Sequence, residues 1–203
     1  MKQVVTIHGG EVYKTYDEYI AGLRAYTLDD PTIPSAKGWR TLLGERLGAE
    51  YLVISPRMPN AANAHYIEWK IWFEKHIPFL DDGVVLLGHS LGACFLTRYL
   101  SEEHCAKKIA GTFLVAGSLS EGADGHLTEF VPHGPLTRLA QQAGHIFLYH
   151  SKDDEVVPFS ELAQYRAALP HATVRIFEDQ NHFIGDDIPG LVADIHSLAR
   201  LTI

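Results

Sequence analysis

The sequence has little of what marks disulfide-rich, metal-binding or membrane proteins. Among its 203 residues are only two cysteines, Cys94 and Cys105, with no Cys-x-x-Cys motif, so nothing predicts a disulfide framework. The 12 histidines include no His-Glu-x-x-His or similar spacing, and we expect neither a metal nor another cofactor. No apolar run approaches the roughly 18 residues of a membrane helix, and the first one is too short for a signal peptide.

Positive charge is also scarce. The formal net charge is −8 at pH 7, which argues against nucleic acid or an anionic membrane as the main partner. With 46% hydrophobic residues, the chain has enough apolar material for a core, and its length predicts one globular domain over residues 1–203. Together with the few cysteines, these features lead us to expect a cytoplasmic protein.

Short apolar runs alternate with segments of helical periodicity. The runs are apolar on both faces, as buried parallel strands are. The predicted strands are Val4–Ile7, Tyr51–Ser55, Val84–Leu87, Thr112–Ala116, Ile146–His150 and Thr173–Phe177. The predicted helices are Tyr16–Tyr26, Trp39–Leu47, Ala62–His76, Leu91–Ser101, Pro135–Ala143, Pro158–Ala168 and Leu191–Leu201. This alternation predicts a three-layer α/β fold, with a mostly parallel six-stranded sheet between helices on both faces.

The stretch Gly88–Gly92, read Gly-His-Ser-Leu-Gly, joins the third predicted strand to a helix. A serine between two glycines in this context is typical of a nucleophile elbow, in which a strained turn exposes the hydroxyl at the end of the strand. The backbone N–H of Leu91, at the helix N-terminus, would then point to where an oxyanion forms. The alternative is an ordinary turn in which Ser90 caps the helix.

A nucleophilic serine needs a base, and the base needs an acid to orient it. The fifth predicted strand runs into the acidic cluster Asp153-Asp154-Glu155, and the sixth runs into a loop that contains His182. This is the chain order that α/β-hydrolases use. We interpret His89 as a structural residue. We interpret the other two acids, Asp124 and Asp179, as solvated loop residues.

On these motifs, together with His8-Gly9-Gly10 and Asn181-His182-Phe183, the chain resembles the α/β-hydrolase superfamily. Within it, the sequence is most similar to small, lid-poor serine hydrolases, the YdeN-like and retinoblastoma-binding-protein-like group. The resemblance implies a sheet without the superfamily's first two strands, in the order 2-1-3-4-5-6, and no separate cap domain. It also implies that Asp154, four residues before Pro158, is the acid.

Asp153 is the fallback for the acid, with a hydrogen bond within its loop as its other expected role. The resemblance implies the Gly10 backbone N–H as the second oxyanion donor, with Glu11 next. A plain Gly-Gly turn is the alternative.

The predicted function is that of a serine hydrolase that cleaves an ester-type acyl bond of a small molecule. In it Ser90 is the nucleophile, His182 the base and Asp154 the orienting acid. A peptidase or thioesterase with the same triad, and a non-catalytic interaction protein on the same fold, remain the alternatives.

Two irregular segments, 11–37 and 118–134, are candidates for covering the site, the second as a small flap, and an ordinary surface loop is the alternative for both. The aromatic stripe of Tyr66, Trp69 and Phe73 is interpreted as the core face of a helix rather than an acyl pocket. Cys94, one turn after the serine, is interpreted as a core residue.

Overall fold

A six-stranded sheet forms the centre of the computed structural model, which describes residues 1–28, 30–33, 37–122 and 125–198. The strands are β1 (Lys2–Ile7), β2 (Tyr51–Ile54), β3 (Val84–His89), β4 (Ile109–Val115), β5 (His145–Ser151) and β6 (Thr173–Phe177). Their order is β2-β1-β3-β4-β5-β6, and neighbouring strands run parallel throughout. The predicted topology is therefore confirmed.

The helices follow the strands in the expected alternation. They are α1 (Tyr16–Ala25), α2 (Trp39–Leu47), α3 (Tyr66–His76), α4 (Leu91–Glu102), α5 (Thr137–Gln142), α6 (Ser160–Ala168) and α7 (Leu191–Leu198), with a 3₁₀ turn at Ile77–Phe79. The last three residues predicted for α7 lie outside the described residues, as does Asp124. No helix of the described part of the chain is long and apolar enough to cross a membrane.

Alternation along the strands divides the core into two apolar layers. In β3, Val84 and Leu86 face the layer that α3, α4, α5 and α6 cover, whereas Val85 and Leu87 face the layer under α2 and α7. Because all four side chains are buried, β3 is apolar on both faces. The third strand therefore ends in the middle of the molecule, and its last residues position the site.

The aromatic stripe of α3 lies in the core, as predicted. Trp69 and Phe73 are fully buried and pack edge-on against Phe95 of α4. Tyr66 contacts the same ring and is also buried. Burying an aromatic or aliphatic side chain of this size contributes roughly 1.5–3 kcal/mol, so the stripe holds α3 onto α4 and does not line the cavity.

Several predicted boundaries differ from those in the structure. The helix predicted from Ala62 begins at Tyr66, because the chain at 61–64 exchanges backbone hydrogen bonds with Glu11 instead of forming a helical turn. Pro135 and Pro158 precede α5 and α6 rather than occupying their first turns. β3, predicted to end at Leu87, continues through His89, which pairs with Val115.

Candidate active site

Ser90 occupies a sharp turn between β3 and α4 at the carboxyl edge of the sheet. Its φ of 56° and ψ of −125° lie outside the regions that residues with a side chain usually adopt. The Ser90 N–H donates to the Val115 carbonyl of β4 at 2.9 Å, which holds the strained residue in place. Its side chain makes no capping hydrogen bond to α4. Ser90 thus occupies the N-cap position of α4, but its hydroxyl does not cap the helix.

Glycines allow this turn to pack closely. A Cβ at Gly88 would lie 2.4 Å from the Gly92 carbonyl oxygen, and one at Gly92 would lie 2.3 Å from the Ile7 carbonyl oxygen. Both distances are below any real carbon contact, so no residue with a side chain fits either position without moving the backbone. A Cβ at Gly9 would meet the Ser90 Cβ at 3.0 Å. The loop after β1 therefore packs directly against the serine.

Asp154 and His182 come together from the loops after β5 and β6. The carboxylate oxygens of Asp154 lie 2.9 and 3.1 Å from His182 Nδ1. One of them also accepts the backbone N–H groups of Val156 and Val157, each at 2.9 Å. Burial alone would raise the pKa of Asp154, but the hydrogen bonds from His182 and Val157 outweigh it and lower that pKa.

The ionisation of Asp154 fixes the tautomer of the histidine. A carboxylate only accepts hydrogen bonds, so the proton of the neutral His182 ring is on Nδ1. Nε2 is then the basic nitrogen. The Asp154 side chain has no exposed surface, and that of His182 is 10% exposed. The imidazole can therefore accept a proton on one side while the buried carboxylate holds the other.

Asp153 performs the loop role that the sequence offered as its alternative. Its carboxylate accepts the Ser151 hydroxyl at 2.5 Å and the Asn181 N–H at 2.8 Å. The Ser151 hydroxyl oxygen in turn accepts the Gln180 N–H at 2.9 Å. Asp153 thus ties the acid loop to the histidine loop and does not contact the His182 ring. Asp179, in the same loop, is exposed.

His89 also supports the histidine loop. Its Nε2 lies 2.8 Å from the His182 carbonyl oxygen, which can only accept, so Nε2 carries the proton. Burial, followed by the effect of His182, lowers the pKa of His89 to about 3. The ring is therefore neutral at physiological pH and acts as a fixed hydrogen-bond donor. The sequence predicts a structural role for His89, but it does not indicate that the partner of its hydrogen bond is the His182 carbonyl.

Ser90 and His182 line one cavity, but their side chains form no hydrogen bond to each other. Such bonds are often long in unliganded enzymes and tighten when the substrate binds. Two backbone donors border the same cavity: within the described chain, the N–H groups of Gly10 and Leu91 have no acceptor. The Glu11 N–H donates to Ala61 at 2.8 Å and is occupied.

His8 orients the Gly9–Gly10 peptide. His8 Nε2 accepts the Met58 N–H at 2.9 Å, so the ring proton is on Nδ1, which donates to the Gly9 carbonyl at 2.6 Å. In a trans peptide the C=O and the following N–H point in opposite directions. Holding the Gly9 carbonyl toward His8 therefore directs the Gly10 N–H away from it. The sequence showed this histidine only as part of a motif.

The cavity has a volume of about 570 Å³, within the range of small-molecule sites. Apolar side chains contribute much of its wall, namely Val12, Leu91, Leu127, Val156, Val157 and Pro158. Cys94 lies in the same wall and is buried, as predicted. Burial raises the pKa of its thiol to about 11, so Cys94 is not a competing nucleophile.

One side of the cavity is held by a buried carboxylate that sequence analysis missed. Glu161 of α6 accepts the N–H groups of Leu119 and Ser120 at 2.8 and 3.0 Å. It also accepts the hydroxyls of Ser118 and Ser120. These bonds fix the start of the 118–134 segment, which borders the cavity through Ser118, Ser120, Gly122, His126 and Leu127. The described residues of the segment therefore line one side of the cavity, and its role as a flap stays a prediction.

The other candidate for covering the site, segment 11–37, contributes less. Of its described residues, only Glu11 and Val12 line the cavity, and α1 has no buried residue. Part of its loop, including Pro34, lies outside the described residues. Over the described part of the chain, no group of three or more His, Cys, Asp or Glu side chains is placed to hold a metal ion.

A parallel sheet in the order β2-β1-β3-β4-β5-β6, with helices on both faces and a serine turn after β3, defines an α/β-hydrolase fold. Residues 34–187 match the family described as serine hydrolase. Since this match spans most of the chain, the protein belongs to that family.

Relatives and solved structures agree with this placement. YdeN of Bacillus subtilis (strain 168) is 26% identical over 155 residues, which cover 73% of this chain and 76% of YdeN. The crystal structure of the B. subtilis ydeN gene product has a TM-score of 0.73 at 22% identity, over 98% of this chain and 100% of that one. The methylesterase MES16 from Arabidopsis shares the fold, with a TM-score of 0.60 at 13% identity over 99% and 100% of the two chains. The chain is thus similar to YdeN in sequence and in fold.

Proposed function

We propose that this serine hydrolase cleaves an ester-type acyl bond of a small molecule through Ser90, His182 and Asp154. The observation that carries the proposal is the 2.9 Å contact between His182 Nδ1 and the buried Asp154 carboxylate, beside a strained serine turn on the same cavity. A histidine oriented in this way presents Nε2 to the cavity as a base. The strained backbone presents the serine hydroxyl there.

The first half of the reaction transfers the acyl group to the enzyme. The Ser90 oxygen attacks the acyl carbonyl while His182 Nε2 takes the hydroxyl proton. The negative oxygen that forms accepts hydrogen bonds from the N–H groups of Gly10 and Leu91, each worth roughly 10²–10³ in rate. The carbonyl then re-forms, the bond to the alcohol breaks, and His182 gives its proton to the departing oxygen.

The second half releases the acid. Water gives a proton to His182 Nε2 and attacks the acyl-Ser90 carbonyl. The bond to Ser90 then breaks and the serine regains its proton from His182. Throughout both halves, Asp154 stays ionised and stabilises the imidazolium. No step requires a cofactor.

The size and lining of the cavity support a small acyl substrate. A volume of about 570 Å³ suits a molecule of drug size rather than a polypeptide. The apolar wall suits an acyl chain. A screen across short-chain esters, thioesters and aminoacyl amides ranks the three bond types, and we expect the esters to give the highest kcat/KM.

The decisive test is covalent labelling with a fluorophosphonate. We expect the probe to attach to Ser90. It should not attach to Ser118 or Ser120, which line the same cavity but donate their hydroxyls to Glu161. Ser90→Ala should abolish both labelling and ester turnover, a loss of several decades, without changing the unfolding temperature by more than a few degrees. An unlabelled wild-type protein would instead favour the non-catalytic binding module.

A further inference from the structure

Arg40, at the start of α2, lines the cavity together with Ser90 and His182. Its Nη1 atom is buried and has no hydrogen-bond partner. Elsewhere in the structure Arg46 and Arg175 pair with carboxylates. Within the described part of the chain, however, no carboxylate lies within ion-pair distance of Arg40. Its guanidinium carbon instead lies 5.8 Å from the centre of the Trp39 ring.

Arg40 is partly buried, and its buried Nη1–H group has no acceptor. An unmade hydrogen bond of a buried N–H is unfavourable, and more so on a charged group. Burial lowers the pKa of Arg40, but a guanidinium stays protonated at physiological pH. The protein therefore keeps a positive charge, with an unused donor on Nη1, in the wall of the cavity. A ligand that supplied the missing acceptor would be bound by it.

The position of the charge can be read from its neighbours. Trp39, the chain neighbour of Arg40, packs its ring against His89 at 5.9 Å between ring centres, so Arg40 lies near the end of β3. The apolar residues 156–158 follow β5, two strands from β3, or about 10 Å at the usual strand spacing. The cavity thus has a cation near the end of β3, beside the serine turn, and apolar side chains after β5.

We propose that Arg40 binds a carboxylate of the substrate, so that the preferred substrates are small esters with a free carboxylate on the acyl chain. This inference rests on the proposed esterase function. A guanidinium offers paired donors that match a carboxylate, whereas an uncharged group would leave the buried N–H unsatisfied. Of the other ionisable groups on the cavity, His89 and the Cys94 thiol are neutral, His182 is the proposed base, and His126 has no anionic form at physiological pH. Glu11 is exposed, so solvent screens its repulsion of an anion.

The test compares two activated esters of equal chain length, mono-4-nitrophenyl glutarate and 4-nitrophenyl valerate. A carboxylate replaces the terminal methyl group in the first. We expect wild-type kcat/KM to be about 10–100-fold higher for the glutarate ester, as a charge-assisted hydrogen bond allows. Arg40→Met should remove this preference, mainly through KM, and Arg40→Lys should retain part of it. Arg166→Met, a change at an exposed arginine of α6, is the matched control and should leave the ratio unchanged.

A binding measurement separates this inference from the esterase proposal. Calorimetry with Ser90→Ala needs no turnover, and it compares two uncleaved esters, monomethyl glutarate and methyl valerate, of which only the first has a free carboxylate. We expect monomethyl glutarate to bind at least tenfold tighter than methyl valerate. Adding Arg40→Met should abolish that difference. If monomethyl glutarate binds in this way but neither 4-nitrophenyl ester is hydrolysed by the wild type, the carboxylate site stands and the esterase proposal fails. Equal binding of the two methyl esters, or an equal loss of activity on both 4-nitrophenyl esters in Arg40→Met, would overturn the role of Arg40.

Discussion

The loops beneath the cavity and the segments beside it are held in different ways. Beneath it, the acid and histidine loops are joined to each other by Asp153 and to the serine strand by His89. Beside it, the 118–134 segment is attached at its start by hydrogen bonds to Glu161 and further along by the buried side chain of Phe130. The helix α1 has no buried residue. The geometry is fixed most firmly at the site of the proposed proton transfer.

The two segments beside the cavity also differ from each other. The 118–134 segment places Phe130 and Val131 in the core, which anchors its far end. In α1 the large apolar side chains Tyr16 and Leu23 remain exposed. A segment tied at both ends holds its cavity-lining residues in position, whereas a helix without core contacts contributes little to the site. The following predictions test this difference, from the largest expected effect to the smallest.

Asp154→Asn should reduce kcat about 10⁴-fold, because an amide can hold the wrong tautomer of His182. Asp153→Asn is the matched control and should stay within about tenfold of wild type, since an amide oxygen can still accept from Ser151 and Asn181. Steady-state kinetics on an activated short-chain ester measures both. A larger loss in Asp153→Asn than in Asp154→Asn would show that the two neighbours had been assigned the wrong roles.

The rate should rise with pH through one histidine titration and then level off, because a general base must be neutral to accept the serine proton. His182→Ala should remove both the rate and this profile. His89→Ala should lower the rate but keep the shape, since the low pKa of His89, about 3, leaves its ring neutral over the whole range. His8→Ala should keep the shape of the pH profile as well. A pH profile of kcat/KM between pH 5 and 9 makes the comparison, and loss of the titration in His89→Ala alone would contradict the assignment.

Glu161→Gln should lower the free energy of unfolding at pH 7 by about 1–3 kcal/mol, because some of the buried donors that Glu161 accepts lose their acceptor. Burial alone would raise the pKa of Glu161. The hydrogen bonds from Ser120 and Leu119 outweigh burial and hold that pKa below its ordinary value. The stabilisation is therefore complete above the unfolded pKa of about 4.3 and is lost as the pH falls through the folded pKa. Denaturant titrations at pH 7 and below pH 4 should show that wild type and variant differ less in free energy of unfolding in acid.

The matched control for this change is Glu178→Gln, at an exposed carboxylate that pairs with Lys152. Exposed ion pairs contribute little to stability, so the free energy of unfolding of the control should stay within about 0.5 kcal/mol of wild type. We also expect Glu161→Gln to raise KM several-fold with little change in kcat, since it loosens one side of the cavity. An unchanged KM would show that residues 118–120 do not need this anchor.

Leu23→Ser on α1 should change the free energy of unfolding by less than about 0.5 kcal/mol, because the side chain is already half exposed. KM should stay the same, since α1 does not line the cavity. Thermal denaturation and ester kinetics check the two statements. A loss of more than 1 kcal/mol, or a several-fold change in KM, would show that α1 packs more firmly than the structure indicates.

Sequence patterns predicted the strands and the serine turn because both are local. The topology came from the family resemblance, since periodicity does not specify which strands are neighbours. Arg40 and Glu161 went unnoticed because each lies in an ordinary helical pattern, where a charged residue usually faces solvent. Their burial depends on contacts with distant parts of the chain. The late start of α3 has the same origin, since residues 61–64 bond to Glu11 rather than to their own helix.

The hydrogen bond between His89 and the His182 carbonyl joins residues 93 positions apart in the chain. Because the Gln180 and Asn181 amides also donate to the acid loop, the histidine loop cannot open alone. In hydrogen–deuterium exchange, we expect these two amides to exchange together, through one shared opening event. The protein should then inactivate on warming in a single cooperative transition rather than by gradual fraying of the site.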